Sequence, residues 1–365
     1  MTADLMILAG GGTGGHLFPG IAVANEFVRR DPSRQVVVVG TGRAVERRAV
    51  ADTGYQLRLL AARPLRGVDV KDQALSLAAI PIALAQSAAL MAQLRPSIVV
   101  GLGGYASGPV VMAAAGVRIP TALMEQNAVP GSTNRLLGAM RLVRRAYLSF
   151  ETSCRYFTPG SARVLGNPVR RALVDVGGSP LPKKPRSVLV LGGSQGAQRL
   201  NIYVPEALAQ AGAAERDIDV VHQSGDAMAE AVRRRYDDLG IHATVAPFID
   251  DMEAAYRRAS LVVSRAGATT LAELAVVGRP SILIPYPFAI DDHQRKNSME
   301  LERAGAAVVV SDHSATSERL SPILRELLID DDAKLEVMGR AAATLGRPDA
   351  TERVVDDLEE LIGVR

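Results

Sequence analysis

The chain has 365 residues, 48% of them apolar, and a formal net charge of +3. That length exceeds one ordinary core and suits two domains; the apolar share excludes a disordered chain, and so small a charge permits an anionic partner without requiring one. The single cysteine, Cys154, excludes an internal disulfide framework, and Met-Thr-Ala-Asp-Leu has no basic region ahead of an apolar one, so no secretory leader is expected.

The apolar run 5–8 leads into Gly10-Gly11-Gly12-Thr13-Gly14-Gly15-His16, with Pro19 following. The pattern predicts a strand, a tight loop and a helix over 19–30 with Pro19 at its first position. Glycine permits positive φ and leaves room for a phosphate against the N–H groups of a helix start. At the rim of this loop, His16 is placed to take a proton from something bound beside phosphates. Position alone does not separate that role from helix capping or packing.

Residues 35–39 read as a strand buried on both faces, 44–51 as a helix and 55–60 as a strand. Residues 73–93 carry no charge and are long enough to span a bilayer. Their alanines, Ser76, Pro81, Gln86 and Ser87 make them weakly apolar, and they read as a kinked crossover helix. Leu75, Leu77, Ile80, Ile82 and Leu84 are expected to pack mostly in the core. The alternative is a surface patch beside Arg63, Arg66 and Lys71, resting on an anionic leaflet. A strand at 98–100 opens a second glycine loop, Gly101-Leu102-Gly103-Gly104-Tyr105-Ala106-Ser107-Gly108-Pro109, and one at 120–124 leads to Glu125-Gln126-Asn127.

Residues 162–186, rich in glycine, proline and charge, read as a linker. The expected domains are 1–165, with 346–365 packing back on it, and 166–345. In the second, a strand at 187–191 and Gly192-Gly193-Ser194-Gln195-Gly196-Ala197 restart the pattern, with further strands at 218–222, 243–246, 260–264, 281–285 and 306–310. The fold class is α/β: two Rossmann-like, doubly wound parallel sheets with ligands outside the carboxyl ends of the strands. Facing one another across a cleft, the loops would grip a nucleotide diphosphate.

Ser194 suits a phosphate or a helix N-cap. Glu273, following Gly267-Ala268-Thr269-Thr270, suits a ribose diol or a capping box with Thr270. Asp291-Asp292-His293-Gln294 suits sugar hydroxyls or simply opens a surface helix. Neighbouring residues on a helix start do not converge, so no metal site is expected. Neither loop carries the full dinucleotide fingerprint, and no aromatic-interleaved basic groove points to nucleic acid.

In order and spacing, the loops from Gly11 to His16, Gly103 to Pro109 and Gly192 to Ala197 closely resemble the MurG family of glycosyltransferase family 28. So do Glu125-Gln126-Asn127, Gly166-Asn167-Pro168-Val169-Arg170 and the stretch from Gly267 to Glu273, so that the resemblance spans nearly the whole chain. It implies a GT-B fold with an N-terminal acceptor domain and a C-terminal donor domain. The implied enzyme is a UDP-N-acetylglucosamine-dependent hexosyltransferase. With inversion, it passes N-acetylglucosamine to the 4-hydroxyl of undecaprenyl-diphosphate-MurNAc-pentapeptide (lipid I), giving lipid II and UDP in peptidoglycan synthesis. The implied donor residues are Thr13, Gly14, Gly15, Asn127, Arg170, Ser194, Gln195, Gly196, Ile249 for uracil, Ala268, Thr269, Thr270, Glu273 for ribose, and Gln294. The implied acceptor residues are Gly14, Gly15, His16, Gly103, Gly104 and Tyr105.

His16 is the candidate general base and Glu125 the alternative; no cofactor or obligatory metal is expected. The resemblance further implies a peripheral place on the cytoplasmic face of a bacterial plasma membrane, with anionic lipid and proteins of wall synthesis and division as partners. The family usually has histidine before Glu125, whereas this chain has Met124, which leaves His16 the better base. Competing readings are another GT-B enzyme, such as a UDP-N-acetylglucosamine 2-epimerase or a glycolipid glycosyltransferase, and a nucleotide-sugar sensor without catalysis.

Overall fold

The structure is a computed structural model that describes residues 4–11, 14–51, 53–63, 69–182, 186–193 and 196–363. The chain folds as two units, Met1–Arg170 with Asp349–Arg365, and Arg171–Pro348. In the first, β1 (Leu5–Gly10), β2 (Gln35–Gly40), β3 (Gln56–Leu59), β4 (Ile98–Gly103), β5 (Thr121–Glu125), β6 (Arg145–Leu148) and β7 (Ala162–Val164) form a parallel sheet. Its order is β3-β2-β1-β4-β5-β6-β7. In the second, β8 (Ser187–Leu191), β9 (Asp219–Gln223), β10 (Ala243–Ala246), β11 (Leu261–Ser264), β12 (Ser281–Leu283) and β13 (Ala307–Val309) are likewise parallel, in the order β10-β9-β8-β11-β12-β13.

Strands such as Val36-Val37-Val38-Val39 are apolar throughout because helices cover both faces of a parallel sheet. Alternate residues of β1 enter different cores: Met6 and Leu8 join one cluster, Leu5, Ile7 and Ala9 the other. Each sheet reverses its winding next to its first strand, between β1 and β4 and between β8 and β11. At such a switch point the loops leaving two neighbouring strands diverge and leave room for a ligand.

The C-terminal helix, Ala350–Ile362, belongs to the first unit. Val354, Val355 and Leu358 are fully buried in its core. Arg30 donates to Asp356 and Glu359 at 2.7 Å, and Arg34 to Glu359 at 2.6 Å. Asp357 accepts from Arg145 at 2.9 Å and from the Tyr147 hydroxyl at 2.8 Å.

Four expectations are corrected. Residues 166–170 stay with the first unit: the Leu165 and Gly166 N–H groups both reach Leu148 O at 3.2 Å, and Thr351 Oγ1 donates to Val169 O at 3.1 Å. The stretch read as a linker contains β7, paired to β6, and a helix, Arg171–Val176. The first helix begins at Gly14 and ends at Arg30, not at Pro19. Only the first four N–H groups of a helix lack an intrahelical acceptor, so Pro19 at the sixth position forgoes one i→i−4 hydrogen bond, and the helix runs through it.

Finally, the helix Val70–Leu94 does not bury its leucines. Leu75, Leu77 and Ile82 are 53%, 56% and 54% exposed, whereas Ser76, Ala83, Ser87 and Met91 are buried. The small residues form the stripe that packs, because Ser76 and Ser87 satisfy their hydroxyls on Asp72 O and Ala83 O of the same helix, at 2.7 and 2.6 Å.

The second core encloses His222. Its Nδ1 accepts from the Tyr236 hydroxyl and its Nε2–H donates to Asn201 Oδ1, both at 3.0 Å. Desolvation pushes its pKa from 6.5 down to about 3. The unfolded chain therefore binds the extra proton first. Stability is full above pH 6.5 and falls as pH drops toward 3, by about 1.4 kcal/mol per pH unit at the steepest. A pH series of urea melts should show this slope in the wild type and lack it in His222→Gln.

Candidate active site

The loops after β1 and β4 are held against one another. Gly10 is the register partner of Gly103. A Cβ on Gly10 would lie 2.7 Å from Gly103 O, and one on Gly104 would lie 2.5 Å from Gly11 O. Gly103 and Gly104 have φ of +93° and +78°. No larger residue satisfies both the approach and the conformation. Directly after this contact the helix Gly14–Arg30 begins, and a first turn directs its N–H groups and the positive end of its dipole outward. This is the geometry of an anion site.

His16 lies in that first turn, half-buried. Its Cδ2 and Nε2 are 3.2 and 3.4 Å from where a Cβ of Gly103 would stand, and Asn134 Nδ2 is 3.6 Å from the same point. His16, the second glycine loop and Asn134 therefore come together. Tyr105 lies under the Arg43 guanidinium, 6.0 Å from its ring centre. Arg170 sits over the Phe18 ring at 5.2 Å, which places it beside the first helix. Met124 is buried within β5 among core residues, so its side chain belongs to packing.

Glu125 is 2% exposed. Its Oε1 accepts from Asn127 N at 3.0 Å and Asn127 Nδ2 at 3.2 Å; its Oε2 accepts from Gly131 N at 3.0 Å and Asn134 Nδ2 at 2.9 Å. Four donors saturate both oxygens. The geometry makes Glu125 the frame that holds Asn127 and Asn134, and both oxygens of this residue, the alternative base of the sequence reading, are engaged by these donors.

Sequence reasoning also passed over Glu46, a fully buried carboxylate beneath the first loop. It accepts from the N–H groups of Thr41, Gly42 and Arg43 at 2.8, 2.6 and 3.1 Å. A Cβ on Gly11 would fall 2.0 Å from its Oε1. An acidic residue in the first turn of the helix Ala44–Ala51 was the available signal.

In the second unit the corresponding loops meet at β8 and β11, with Ser264 opposite Leu191 and Arg265 N donating to Leu191 O at 3.3 Å. Gly196 has φ +74° and its Cβ position lies 2.1 Å from Ser224 O, so only glycine fits. Thr13, Ser194 and Gln195 lie outside the described residues. Ile249 follows β10, and its N–H is taken by Gln223 Oε1 at 3.2 Å. Gln294 opens the helix His293–Arg303 and accepts the Tyr286 N–H at 2.9 Å.

Gly267 is the cap of the helix Ala268–Val277, which brings Ala268, Thr269 and Thr270 into its first turn. Glu273 sits a turn further on, 7% exposed, and accepts from the Tyr256 hydroxyl at 3.1 Å. The capping-box reading with Thr270 is thereby corrected, since Thr270 lies inside the helix. Among the described residues, no three His, Cys, Asp or Glu side chains cluster so as to hold a metal ion.

Residues 6–143 match the glycosyltransferase family 28 N-terminal domain and residues 187–354 its C-terminal domain. The chain belongs to glycosyltransferase family 28. It is 46% identical to a Myxococcus xanthus protein over 98% of this chain and 93% of that one. A Geobacter sulfurreducens protein is 42% identical, over 97% of each. Both are named UDP-N-acetylglucosamine--N-acetylmuramyl-(pentapeptide) pyrophosphoryl-undecaprenol N-acetylglucosamine transferase. A crystal structure of Acinetobacter baumannii MurG matches with a TM-score of 0.76 at 31% identity, over 98% of this chain and 99% of that one. A UDP-GlcNAc 2-epimerase from Neisseria meningitidis, at 12% identity, 98% and 100% coverage and a TM-score of 0.66, shares the fold alone with this family 28 chain.

Glu125→Gln puts an amide where two N–H donors converge. It is expected to cost about 1–3 kcal/mol of stability and to lower activity, while the residual rate keeps the wild-type pH profile. Loss of the acid limb of that profile would instead make Glu125 the base.

Proposed function

We propose that this family 28 enzyme transfers N-acetylglucosamine from UDP-N-acetylglucosamine to the 4-hydroxyl of the muramoyl sugar of lipid I, giving lipid II and UDP. The near-full-length identity to the named transferases supports the reaction. The observation that carries the assignment of roles is the seat of His16 over Gly103, at the contact of the two glycine loops.

In this reading the loops after β1 and β4 receive the acceptor diphosphate through backbone N–H groups. The second unit receives the donor: Glu273 takes the ribose diol, residues around Ile249 the uracil, and the loop through Gly196 the nucleotide diphosphate. Asn127 and Gln294 address the sugar. The acceptor 4-oxygen attacks the anomeric carbon from the face opposite the UDP oxygen, and the configuration inverts. His16 takes the hydroxyl proton as that bond forms, and the electrons of the breaking bond leave with UDP. Charge on the departing diphosphate is met by N–H dipoles and Arg170, so this reading calls for no metal or cofactor.

General-base assistance is worth roughly 100- to 10,000-fold. His16→Ala is therefore expected to lower kcat by that factor, with the affinity for UDP-N-acetylglucosamine within about twofold of wild type. Radiolabelled sugar transfer to a lipid I analogue, with UDP release followed in parallel, measures both. Unchanged turnover removes the base role, and UDP release without transfer points to another GT-B activity.

The acceptor's lipid tail calls for a membrane-facing surface, and the exposed Leu75, Leu77 and Ile82 offer one. The stretch Leu75–Leu94 is long and apolar enough to cross a bilayer, yet most of it lies on the surface of the first unit. We assign it to peripheral docking on the cytoplasmic leaflet, with nearby cations adding roughly 1 kcal/mol each on anionic lipid. The double substitution Leu77→Asp, Ile82→Asp should abolish co-flotation with anionic liposomes and spare transfer to a soluble acceptor analogue. Undiminished flotation would move the docking surface elsewhere.

A further inference from the structure

The Glu273 carboxylate is held by a closed ring of contacts within the second unit. Tyr256, fully buried on the helix Met252–Arg258, donates its hydroxyl to Glu273 Oε2 at 3.1 Å. The other end of the same residue is gripped from below. Arg279 Nε donates to Tyr256 O at 3.0 Å, and Arg279 Nη1 reaches Val277 O at 3.3 Å and Ser179 O at 3.4 Å. Arg279 stands just beyond the helix Ala268–Val277 that carries Glu273, and it is 1% exposed. The arginine thus ties the tyrosine's backbone to the end of the helix whose carboxylate the tyrosine's phenol holds. Neither end of Tyr256 can shift without the other.

We propose that Tyr256 is a positioning residue for the nucleotide donor. Its phenol fixes the plane of the Glu273 carboxylate so that the remaining lone pairs point at the ribose 2′- and 3′-hydroxyls, and Arg279 fixes the phenol. The proposal rests on the reading that Glu273 receives the ribose. A carboxylate pinned through one oxygen by a buried donor keeps its orientation before substrate arrives, and preorganised groups of this kind act through affinity and selectivity. The charge-assisted character of the bond makes it one of the stronger classes of hydrogen bond.

Steady-state kinetics on the full-length enzyme, with a saturating lipid I analogue, compare UDP-N-acetylglucosamine with its 2′-deoxyuridine counterpart. Wild type should prefer the ribose donor, because the deoxy analogue removes a hydroxyl partner from a carboxylate that is 7% exposed. Tyr256→Phe should raise KM for UDP-N-acetylglucosamine about 3- to 20-fold, leave kcat within about twofold and erase most of the 2′-hydroxyl preference. In a Glu273→Gln background the same change should have little further effect on KM, since both act through one carboxylate. A role confined to packing would lower the melting temperature and leave the ribose preference intact, which overturns the proposal. Glu273→Asp, which keeps the charge and draws the carboxylate back from the phenol, is the second arm and should lose the same preference; a retained preference overturns the proposal. The two readings separate cleanly. If Glu273→Gln raises KM and Tyr256→Phe does not, the positioning role falls and the ribose assignment stands; if Glu273→Gln leaves KM and the 2′-preference unchanged, both fall.

Discussion

The first unit depends on a backbone contact: the peptide edges of the loops after β1 and β4 touch, with no side chain between them. The contact demands glycine at positions 10 and 104, and it decides what can stand next. With the loops this close, the first turn of the helix beginning at Gly14 lies over the second loop, and His16 is carried there with it. A single Cβ at Gly104 would push against Gly11 O, separate the loops and withdraw the imidazole from the place where a substrate hydroxyl would lie. The contact is therefore built from main chain, and the His16 imidazole is positioned by main chain.

Around the glycine loops, buried carboxylates do the fixing. Glu46 gathers three N–H groups of the loop after β2, Glu125 gathers four donors after β5, and Glu273 takes a phenol after β11. Burying a carboxylate costs several kcal/mol, and hydrogen bonds to a charged group return roughly 1.5–3 kcal/mol each. Several donors per carboxylate are needed to offset the cost, which is why Glu46 and Glu125 pull whole turns of backbone inward.

Much of this was legible in the sequence, where local signals suffice. Unbroken apolar runs such as those at β2 and β8 identify strands of a buried parallel sheet, and the glycine loops that follow β1, β4 and β8 mark the strand ends at which each sheet opens. Legibility stopped where a residue's role depends on a partner far along the chain. β6 and β7 are too short for a periodic signal and exist because each completes the next edge of the sheet. The helix Val70–Leu94 was misjudged because large apolar residues were expected to pack. The face that packs is the stripe of Ser76, Ala83, Ser87 and Met91, and Leu75, Leu77 and Ile82 are left outside. Asn134 and Tyr256 give no usable sequence signal, since an amide and a phenol read as surface residues until the chain folds around them, and Glu46 shows in the sequence only as an acidic residue in a first helical turn.

The arrangement also separates two tasks that one charged residue would confuse. A site that met phosphates with lysine or histidine would lose or gain binding as those groups titrated, and its proton-transfer chemistry would move with its affinity. N–H groups of the glycine loops and the helix dipole carry no titrating proton, so their attraction for a diphosphate is the same on either side of neutrality. The chain holds few lysines, and arginine, which stays charged throughout, supplies most of its cations. In the proposed reaction, proton transfer falls to an imidazole, whose ordinary pKa lies near neutrality. A base of that kind must be partly open to receive the substrate hydroxyl. His16, half-buried on a first helical turn, meets that requirement, and Glu125, closed over by four N–H donors, does not. On the proposed roles, phosphate recognition and acid–base chemistry rest on different atoms of neighbouring residues, and each can be optimised without disturbing the other.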